Sequence, residues 1–458
     1  MSAAPAHAVD PAELERLRTE VRGRVLLPGD AGYDEARLPW NRSVDQRPAA
    51  VVEPADVADV QTVLRIARAA GAGVTTQPNG HGADGALEGV VVIRPVAFDE
   101  LVVDEQARLV RIGAGVNWGR VLAALDGTGL IALAGSNPEV NAVALAIGGG
   151  HSMFSRKYGL TARSIIAVEL VDAAGEVRHV TDADDPELIW ALRGGGGLFG
   201  VVTAIELALY PGDRLFGGGL LFPIAHAEAV LEAAIELSRD EPELGLDLGL
   251  MRFPDAPMVP PPLRGQTVAT VSLVHIGDEA SGRRFAERLL AVAEPIADTL
   301  APFTIGGLAA VAAEPVDPMP VADFGSALDL TAEGFPRAFV EAFLAGAEAG
   351  LGRASVRAMG GAIVEELGAG QSAVGAIGAA GLLSSGVVLF DPAIDVEASL
   401  RPLRELAAAF PAEGTVPTFL GGGSTLADAY GPEVLERLAA VKRRVDPEGV
   451  IRSNRPLG

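Results

Sequence analysis

The sequence predicts a mixed α+β protein built in two parts. Up to about residue 211, short strand-like segments alternate with helical ones and glycines separate them. From about residue 215, longer amphipathic helical patterns flank apolar strand-like segments, and the tail carries one more helix and an extended end. A chain of 458 residues is long enough for two domains. We expect domain boundaries that give the segments 1–212, 213–410 and 411–458.

The first part begins with a strand-like Val51-Val52, which Pro54 ends. Asp56 then caps a helix whose apolar residues follow the i, i+3, i+4, i+7 spacing of one buried face, and Gly71 ends that helix. The same reasoning predicts strands at 73–76, 90–93, 109–114, 165–171, 177–180 and 201–209, and helices at 117–125 and 186–193.

The second part contains longer elements. Helical periodicity predicts helices at 225–238, 278–299 and 335–350, with strands at 267–274 and 386–390. The stretch 300–334 is rich in alanine, proline and glycine and predicts no clear element. A last helix is expected at 432–444, before Asp446-Pro447. The pattern favours a sheet with helices packed on it.

Composition excludes several classes of partner. The net charge is −24, which argues against nucleic acid and anionic membranes as partners. Without cysteine there are no disulfides or thiolate metal sites, and the six histidines show no metal-ligand spacing, so no metal is expected. The first residues lack the pattern of a signal peptide, and no apolar run has transmembrane length. We therefore expect a cytoplasmic protein.

Two glycine-rich segments each present a histidine. Gly80 and Gly82 flank His81 in the run Gln77-Pro-Asn-Gly-His-Gly-Ala83, and Gly148 to Gly150 precede His151. Glycines let the backbone approach a ligand closely, and successive N–H groups can form an anion site. This pattern suits a phosphate-bearing cofactor that also needs an imidazole. The alternative is a glycine-rich surface turn with an incidental histidine.

Two other motifs are false positives. Residues 195–200 match G-x-G-x-x-G literally, but a helix precedes them and a β-branched strand follows, whereas a dinucleotide fingerprint follows a strand and opens a helix. Residues 323–325 read Asp-Phe-Gly, but the lysine that a kinase needs downstream of its glycine loop is missing. The glycine run still permits close backbone approach where the strand at 201 begins.

Several ordered segments resemble the berberine-bridge-enzyme-like branch of the vanillyl-alcohol-oxidase flavoproteins. The resemblance covers most of residues 30–211 and 430–458, and only loosely the middle domain. It implies an α+β fold with a two-part FAD-binding domain of the p-cresol methylhydroxylase type, completed by 411–458. A substrate domain with an antiparallel sheet backed by helices is inserted. The segments are 33–41, 47–48, 77–83, 148–160, 188–194, 199–203 and 441–454.

This resemblance implies FAD, with the loop 77–83 around the pyrophosphate and His81 joined covalently to the flavin. Many family members carry a second covalent link from a cysteine. Asn137 occupies that slot here, so a single link is expected. The implied cofactor-binding residues are Gln77, Pro78, Asn79, Gly80, His81, Gly82, Ala83, Gly135, Ser136, Asn137, Val140, Gly148, Gly149, Gly150, His151, Gly200, Val202 and Asn454.

The catalytic base is the main departure from the family pattern. The family's tyrosine is missing near 418–420, and its basic residue is missing near 375–377. His151, Glu365 and Glu366 are candidates for the catalytic role, and each could equally be a scaffold or surface residue. Val140 stands where family members vary between residues that admit or exclude oxygen, and valine favours an oxidase.

The resemblance therefore predicts an FAD-linked oxidoreductase. We expect it to pass a hydride from a small, largely apolar, secondary-metabolite-like substrate to flavin N5 and electrons to O2. One alternative is a non-redox cyclase or isomerase that keeps FAD as a structural element. Another is a binding protein that has lost FAD. The sequence does not give the oligomeric state.

Overall fold

A computed structural model describes residues 9–85, 87–257, 259–365 and 371–457 of the chain. The described residues contain three main sheets. A separate apolar core lies against each sheet, and residues of a neighbouring sheet contribute to the cores of the first and the second. Within these residues, no helix is both long enough and apolar enough to cross a bilayer.

The first sheet has four strands in the order β1-β2-β4-β3, where β2, β3 and β4 run parallel and β1 is antiparallel to β2. Asp56 accepts a hydrogen bond from the backbone N–H of Asp59 and caps α4, as the sequence predicts. The elements are β1 Arg24–Leu26, β2 Ala50–Glu53, β3 Gly73–Thr76 and β4 Val90–Ile93, with α1 Pro11–Glu15, α2 Leu17–Glu20, α3 Tyr33–Arg37 and α4 Val57–Ala69.

The second sheet has five antiparallel strands in the order β5-β6-β10-β8-β9, and β7 pairs with β11 beside it. Its strands enclose a core that also contains the buried faces of α5, α6 and α8. The elements are β5 Leu101–Asp104, β6 Leu109–Gly113, β7 Leu130–Ile131, β8 Ile165–Val171, β9 Val177–Val180, β10 Val201–Ala208 and β11 Tyr210–Pro211, with α5 Trp118–Leu125, α6 Ala142–Ile147, α7 Ser155–Tyr158 and α8 Pro186–Leu192.

The third sheet is antiparallel throughout, in the order β15-β12-β14-β13-β18-β19-β17, with β16 also paired to β12. Helices α9, α10, α12 and α13 bury apolar residues against one face. The elements are β12 Leu215–Pro223, β13 Gly245–Arg252, β14 Thr267–Ile276, β15 Ala297–Asp298, β16 Ala301–Phe303, β17 Val321–Leu328, β18 Arg353–Ala358 and β19 Gly381–Val388, with α9 Ala227–Asp240, α10 Glu279–Leu290, α11 Leu308–Ala312, α12 Phe335–Glu348 and α13 Val396–Ala409.

Two predicted elements are wrong in their extent. The strand expected at 386–390 begins at Gly381 and ends at Val388. The helix expected over 278–299 ends at Leu290, and residues 297–298 instead form a short strand against β12. Pro295 lies between the two, and proline lacks the backbone N–H that a helix interior needs. The apolar spacing continues beyond the helix because Val292 and Ala293 pack against the same core as the helix does.

The C-terminal helix α14, Pro432–Val445, leads the chain back to the first sheet. Ile451 forms a parallel bridge with Val74 on β3, and the backbone N–H of Arg452 donates to the carbonyl of Val74 at 2.7 Å. Lys442 donates to the carbonyls of Leu198 and Ile451. These bonds hold the tail against the two N-terminal sheets, while the predicted boundaries at 212 and 410 stay predictions.

Candidate active site

A cleft of about 350 Å³ lies where loops from the first two sheets meet the C-terminal tail. Helix α6 supplies one wall, and a bend at 194–197 supplies another. The lining residues are Thr75 to Ala83, Ala114, Val140, Asn141, Val143 to Leu145, Ile147, Gly148, Gly194 to Gly197, Gly200, Val202, Asp323, Pro417, Thr418, Leu420, Leu426 and Arg452 to Arg455.

Buried Arg94 fixes the glycine loop that follows β3. Its guanidinium donates to the carbonyls of Gln77 and Pro78 in the loop, and to those of Ala36 and Leu38 in the preceding segment. The pKa of Arg94 falls to about 10 because it is buried, yet it stays charged at neutral pH. A charged donor bonded to four carbonyls holds the loop in one position at the mouth of the cleft.

The His81 ring lies in this loop, stacked on Trp40 with 4.4 Å between ring centroids. Neither ring nitrogen has a hydrogen-bond partner among the described residues, although both are buried. Burial lowers the pKa of His81 to about 4, so the imidazole is neutral at neutral pH. Because buried polar atoms are normally hydrogen-bonded, a ring with two unpartnered nitrogens facing a cleft indicates a site for another group.

At two positions of the cleft, Gly82 and Gly197, neither the backbone conformation nor the surrounding described residues require glycine. Gly197 has φ −83° and ψ 24°, a conformation open to other residues. A Cβ added at Gly82 or Gly197 would meet no protein atom within 4 Å. Gly200 differs, since a Cβ there would lie 2.9 Å from the carbonyl oxygen of Val171. Glycine at 82 and 197 therefore fits a ligand that comes close to the backbone.

Residues of the C-terminal tail close the cleft from the side opposite the loop. Asn454 donates to the side-chain oxygen of Gln77 at 3.1 Å, and its own amide oxygen is buried with no hydrogen-bond partner in the part of the chain that the structure describes. Arg455 pairs with Asp84 at 3.2 Å, just after the glycine loop. The tail is thus bonded at two points to the glycine loop and the residue that follows it, and the amide oxygen of Asn454 is left as a hydrogen-bond acceptor at the cleft.

A second cavity of about 210 Å³ adjoins the cleft and shares Val140, Leu145, Asp323, Thr418 and Leu420 with it. Its other wall is the open face of the third sheet. In the register of β17, β19 and β18, Asp323 and Ser384 lie on the same face as Arg357. The remaining lining residues are Gly135, Ser136, Asn137, His151, Glu314, Phe324, Gly325, Ser385 and Phe419.

The three candidates for the catalytic role are placed differently. His151 is buried and lines the second cavity, edge-on to Phe419 with 6.0 Å between centroids. Glu365 is exposed and lines neither cavity. Glu366 lies outside the described residues. The sequence missed Asp323, the one carboxylate that lines both cavities among the described residues.

The predicted cofactor-binding residues divide between the two cavities. Gly149 and Gly150 line neither cavity and instead pack beneath the loop, where a Cβ would meet Val416 or Thr161. The cleft is lined by Gln77, Pro78, Asn79, Gly80, His81, Gly82, Ala83, Val140, Gly148, Gly200, Val202 and Asn454. The second cavity is lined by Gly135, Ser136, Asn137, Val140 and His151. Residues of the cleft that the sequence did not indicate include Asn141, Ala144, Gly194, Arg452 and Arg455, whereas the run 195–197 was expected only to allow close backbone approach.

Residues 48–181 match the model of an FAD binding domain, FAD_binding_4. A curated relative, (R)-6-hydroxynicotine oxidase of Paenarthrobacter nicotinovorans, is 32% identical over 203 residues, which is 44% of this chain and 44% of that protein. The alignments with the first three curated relatives each cover less than half of the relative's length.

Solved structures match over nearly the whole chain. The crystal structure of 6-hydroxy-D-nicotine oxidase from Arthrobacter nicotinovorans has a TM-score of 0.81 at 25% identity, covering 94% of this chain and 97% of that one. Berberine bridge enzyme from Eschscholzia californica has a TM-score of 0.80 at 17% identity, covering 97% and 98%, a likeness of fold alone.

The fold and the matched domain define a flavoprotein with a p-cresol methylhydroxylase-type FAD-binding domain. Within that class, the chain resembles the berberine-bridge-enzyme-like FAD-linked oxidoreductases in its matched domain and in its fold. The fold class and the resemblance predicted from the sequence are confirmed.

Proposed function

We propose that the cleft holds FAD bonded covalently to His81, and that the chain is an oxidase of a small organic substrate. The observation that carries the proposal is the His81 ring at the edge of the cleft, whose two nitrogens are buried and have no hydrogen-bond partner among the described residues. Burial lowers the pKa of the ring, so it is neutral. A neutral imidazole keeps a lone pair on one nitrogen, and only that form can bond to the flavin ring.

The residues of the cleft fit the cofactor. Backbone N–H groups of the loop 77–83 and of the bend at 194–197 would hold the phosphates, since neither glycine at 82 or 197 is required by the protein itself. Val140, Gly200 and Val202 would lie against its rings, and the amide oxygen of Asn454 would accept a hydrogen bond from it. When bound, FAD supplies the redox chemistry by taking a hydride from the substrate and passing electrons to O2.

A single covalent bond is proposed because Asn137 occupies the family's second attachment slot. Its side chain is engaged elsewhere, donating to the carbonyl of Pro315 at 2.8 Å and accepting from the backbone N–H of Glu139 at 2.9 Å. An amide also lacks the nucleophilic sulfur that a second thioether bond would need. Val140 borders both cavities, where it would limit the space beside the flavin ring.

The second cavity is the proposed substrate site, and its lining includes charged residues that were not expected. A largely apolar substrate face was expected because the family's tyrosine and basic residue are replaced. Instead, Glu314, Asp323 and Arg357 bring charge into the cavity, with serines from β19 beside them. These residues come from segments that the family motifs do not cover, so the motif positions alone did not indicate this charge.

An oxidase is favoured over the alternatives by the relatives, which are named oxidases, oxidoreductases and monooxygenases. They do not support a non-redox cyclase or isomerase. A role in secondary metabolism and a cytoplasmic location stay predictions, and so do a small-molecule substrate and O2 as partners.

The test is to purify the protein and a His81→Ala variant and to precipitate both with acid. The wild type should retain yellow colour in the pellet and gain the mass of one FAD on the peptide that contains His81. The variant should release its flavin to the supernatant. His179→Ala, at an exposed position, is the matched control and should behave as the wild type. Flavin retained in the acid pellet of His81→Ala would refute the attachment site.

A further inference from the structure

Trp40 lies against the imidazole of His81. The two rings are stacked, with 4.4 Å between their centroids and 16° between their planes. A stacked neighbour covers one face of the imidazole and leaves free its edge, where both nitrogens lie. Trp40 is not among the described residues that line the cleft. The indole is therefore placed to act on the histidine rather than on the space that the cofactor would fill.

No hydrogen bond fixes the orientation of this imidazole among the described residues, since both nitrogens of His81 lack a partner there. The plane of a histidine ring in a functional site is usually set by a hydrogen bond at one nitrogen, which leaves the other nitrogen for the ligand. Here the stack on Trp40 takes that role. It fixes the plane of the ring without occupying either nitrogen, so both stay available to a group in the cleft.

The indole is itself held in place by hydrogen bonds. Its N–H donates to the backbone carbonyl of Val316 at 3.1 Å. The backbone N–H of Trp40 donates to the carbonyl of Asn79 at 2.7 Å. The next N–H along the chain, that of Asn41, donates to the carbonyl of Gly80 at 3.5 Å. These two acceptors directly precede the histidine, so the indole and the imidazole are tied to the same stretch of backbone.

The glycine at position 80 permits this close contact. Its φ is +76°, and an added Cβ would lie 2.6 Å from the Cβ of Pro39 and 2.9 Å from its Cα. The segment 39–41 is also bonded to the third sheet. The buried side chain of Asn41 donates to the carbonyl of Val321 at 3.0 Å and accepts from its N–H at 3.1 Å. Trp40 therefore belongs to a support that is bonded to the glycine loop on one side and to β17 on the other.

We propose that Trp40 is a positioning residue for the attachment of FAD, because it holds the His81 ring in the plane that presents a nitrogen to the cleft. The inference rests on the proposed function, in which His81 becomes bonded to the flavin. That reaction replaces an N–H bond of the imidazole and a C–H bond of the flavin with one C–N bond. The two electrons and two protons that are released pass to O2, the acceptor in the proposed function, and give hydrogen peroxide.

The rate of covalent attachment tests the proposal. Flavin-free, full-length protein from a riboflavin-starved host is mixed with FAD, and acid precipitation at successive times gives the attached fraction. Trp40→Leu keeps apolar bulk but removes the flat ring, so the rate should fall by about three- to tenfold, the factor that corresponds to one lost aromatic pair. Trp40→Phe should restore most of the rate, since phenylalanine still stacks. Phe390→Leu, at a side chain that is 75% exposed after β19, is the matched control and should keep the wild-type rate.

Two further measurements separate positioning of the ring from a general structural role. In a His81→Ala background, where FAD binds reversibly, Trp40→Leu should leave the dissociation constant for FAD unchanged, because Trp40 does not line the cleft. In flavin-free protein, the NMR signals of the His81 ring protons should be shifted upfield by the indole face that covers them. These signals are identified by their loss in His81→Ala, and the shift should shrink in Trp40→Leu.

Several results would overturn the inference. One is an attachment rate in Trp40→Leu equal to that of the wild type, and another is a rate in Trp40→Phe as low as in Trp40→Leu. A weaker affinity for reversibly bound FAD in Trp40→Leu would also overturn it, because Trp40 would then act on cofactor binding. Should Trp40→Leu fold poorly, the NMR spectrum of the flavin-free wild type decides, since His81 ring protons at the shifts of an unstacked imidazole would contradict the stack.

The wild type separates this inference from the proposed function. Wild-type protein that attaches FAD, with Trp40→Leu attaching it equally fast, would overturn the inference and leave the proposed function standing. Wild-type protein that binds FAD without attaching it would overturn the covalent bond of the proposed function and, with it, the role of Trp40.

Discussion

Gly197→Ala should separate cofactor binding from stability. The backbone at Gly197 has φ −83° and ψ 24°, which alanine adopts without strain, and the added Cβ meets no protein atom within 4 Å. A glycine-to-alanine change at a compatible position stabilises a protein by about 0.4–1 kcal/mol, because it reduces the freedom of the unfolded chain. The free energy of unfolding of the flavin-free variant should therefore stay the same or rise slightly.

Flavin binding should change in the opposite direction. The new methyl group would project into the cleft where the proposed cofactor lies, and overpacking of this kind costs about 1–3 kcal/mol. The dissociation constant for FAD should rise by about tenfold or more. The assay is fluorescence titration of FAD in a His81→Ala background, where binding is reversible, beside urea unfolding of the same flavin-free protein.

Gly200→Ala is the matched control on the same bend. Its Cβ would lie 2.9 Å from both the backbone carbonyl oxygen of Val171 and a methyl group of Leu170, and the backbone atom has little room to shift. This variant should lose stability, with any loss of flavin following from it. The reasoning would be refuted if Gly197→Ala bound FAD as tightly as its parent, because the space beside Gly197 would then not hold the cofactor.

The remaining predictions concern the supports of the cleft. Arg94→Leu leaves its buried carbonyl partners without a donor, so urea unfolding should show a loss of about 3–5 kcal/mol; an unchanged midpoint would contradict this. Lys442→Met strands the buried carboxylate of Asp446, so a similar loss is expected in thermal unfolding, and full stability would exclude the ion pair as a support. Burial depresses the pKa of His81 to about 4, so in flavin-free protein NMR should find its ring neutral at about pH 5. The unfolded chain binds a proton nearer the ordinary pKa, so this residue's contribution to stability should rise with pH from about 4 to about 6.5; protonation of the folded ring near pH 6.5 would be the contrary result. Glu365→Gln should leave turnover unchanged, since the side chain is exposed outside both cavities; a large drop in kcat would restore it as a candidate.

The sequence indicated the glycine loops that line the cleft, but not the charged residues that line the second cavity. The loop 77–83 and the glycines at 148 and 200 are read from local spacing, because a tight glycine turn is encoded within a few residues. The capped helix α4 and the paired strands at 165–171 and 177–180 are likewise local patterns, and the structure confirms them.

The substrate side depends on contacts between distant strands. Asp323 and Arg357 share a face only because β17 and β18 both pair with β19, and no local pattern encodes that pairing. The triplet Asp323-Phe-Gly325 resembles a kinase motif only in its letters, and its place beside the cleft could not be predicted from the sequence. The family motifs cover the middle domain only loosely, so they gave no guide there.

The most direct test of the account is the visible spectrum of the purified protein before and after acid precipitation. The account predicts a yellow protein whose colour stays with the precipitated chain, since His81 would bond FAD covalently. Yellow colour that passes to the supernatant would contradict the covalent bond while keeping the cofactor. A colourless protein that also failed to take up added FAD would contradict the central claim that the cleft is a flavin site.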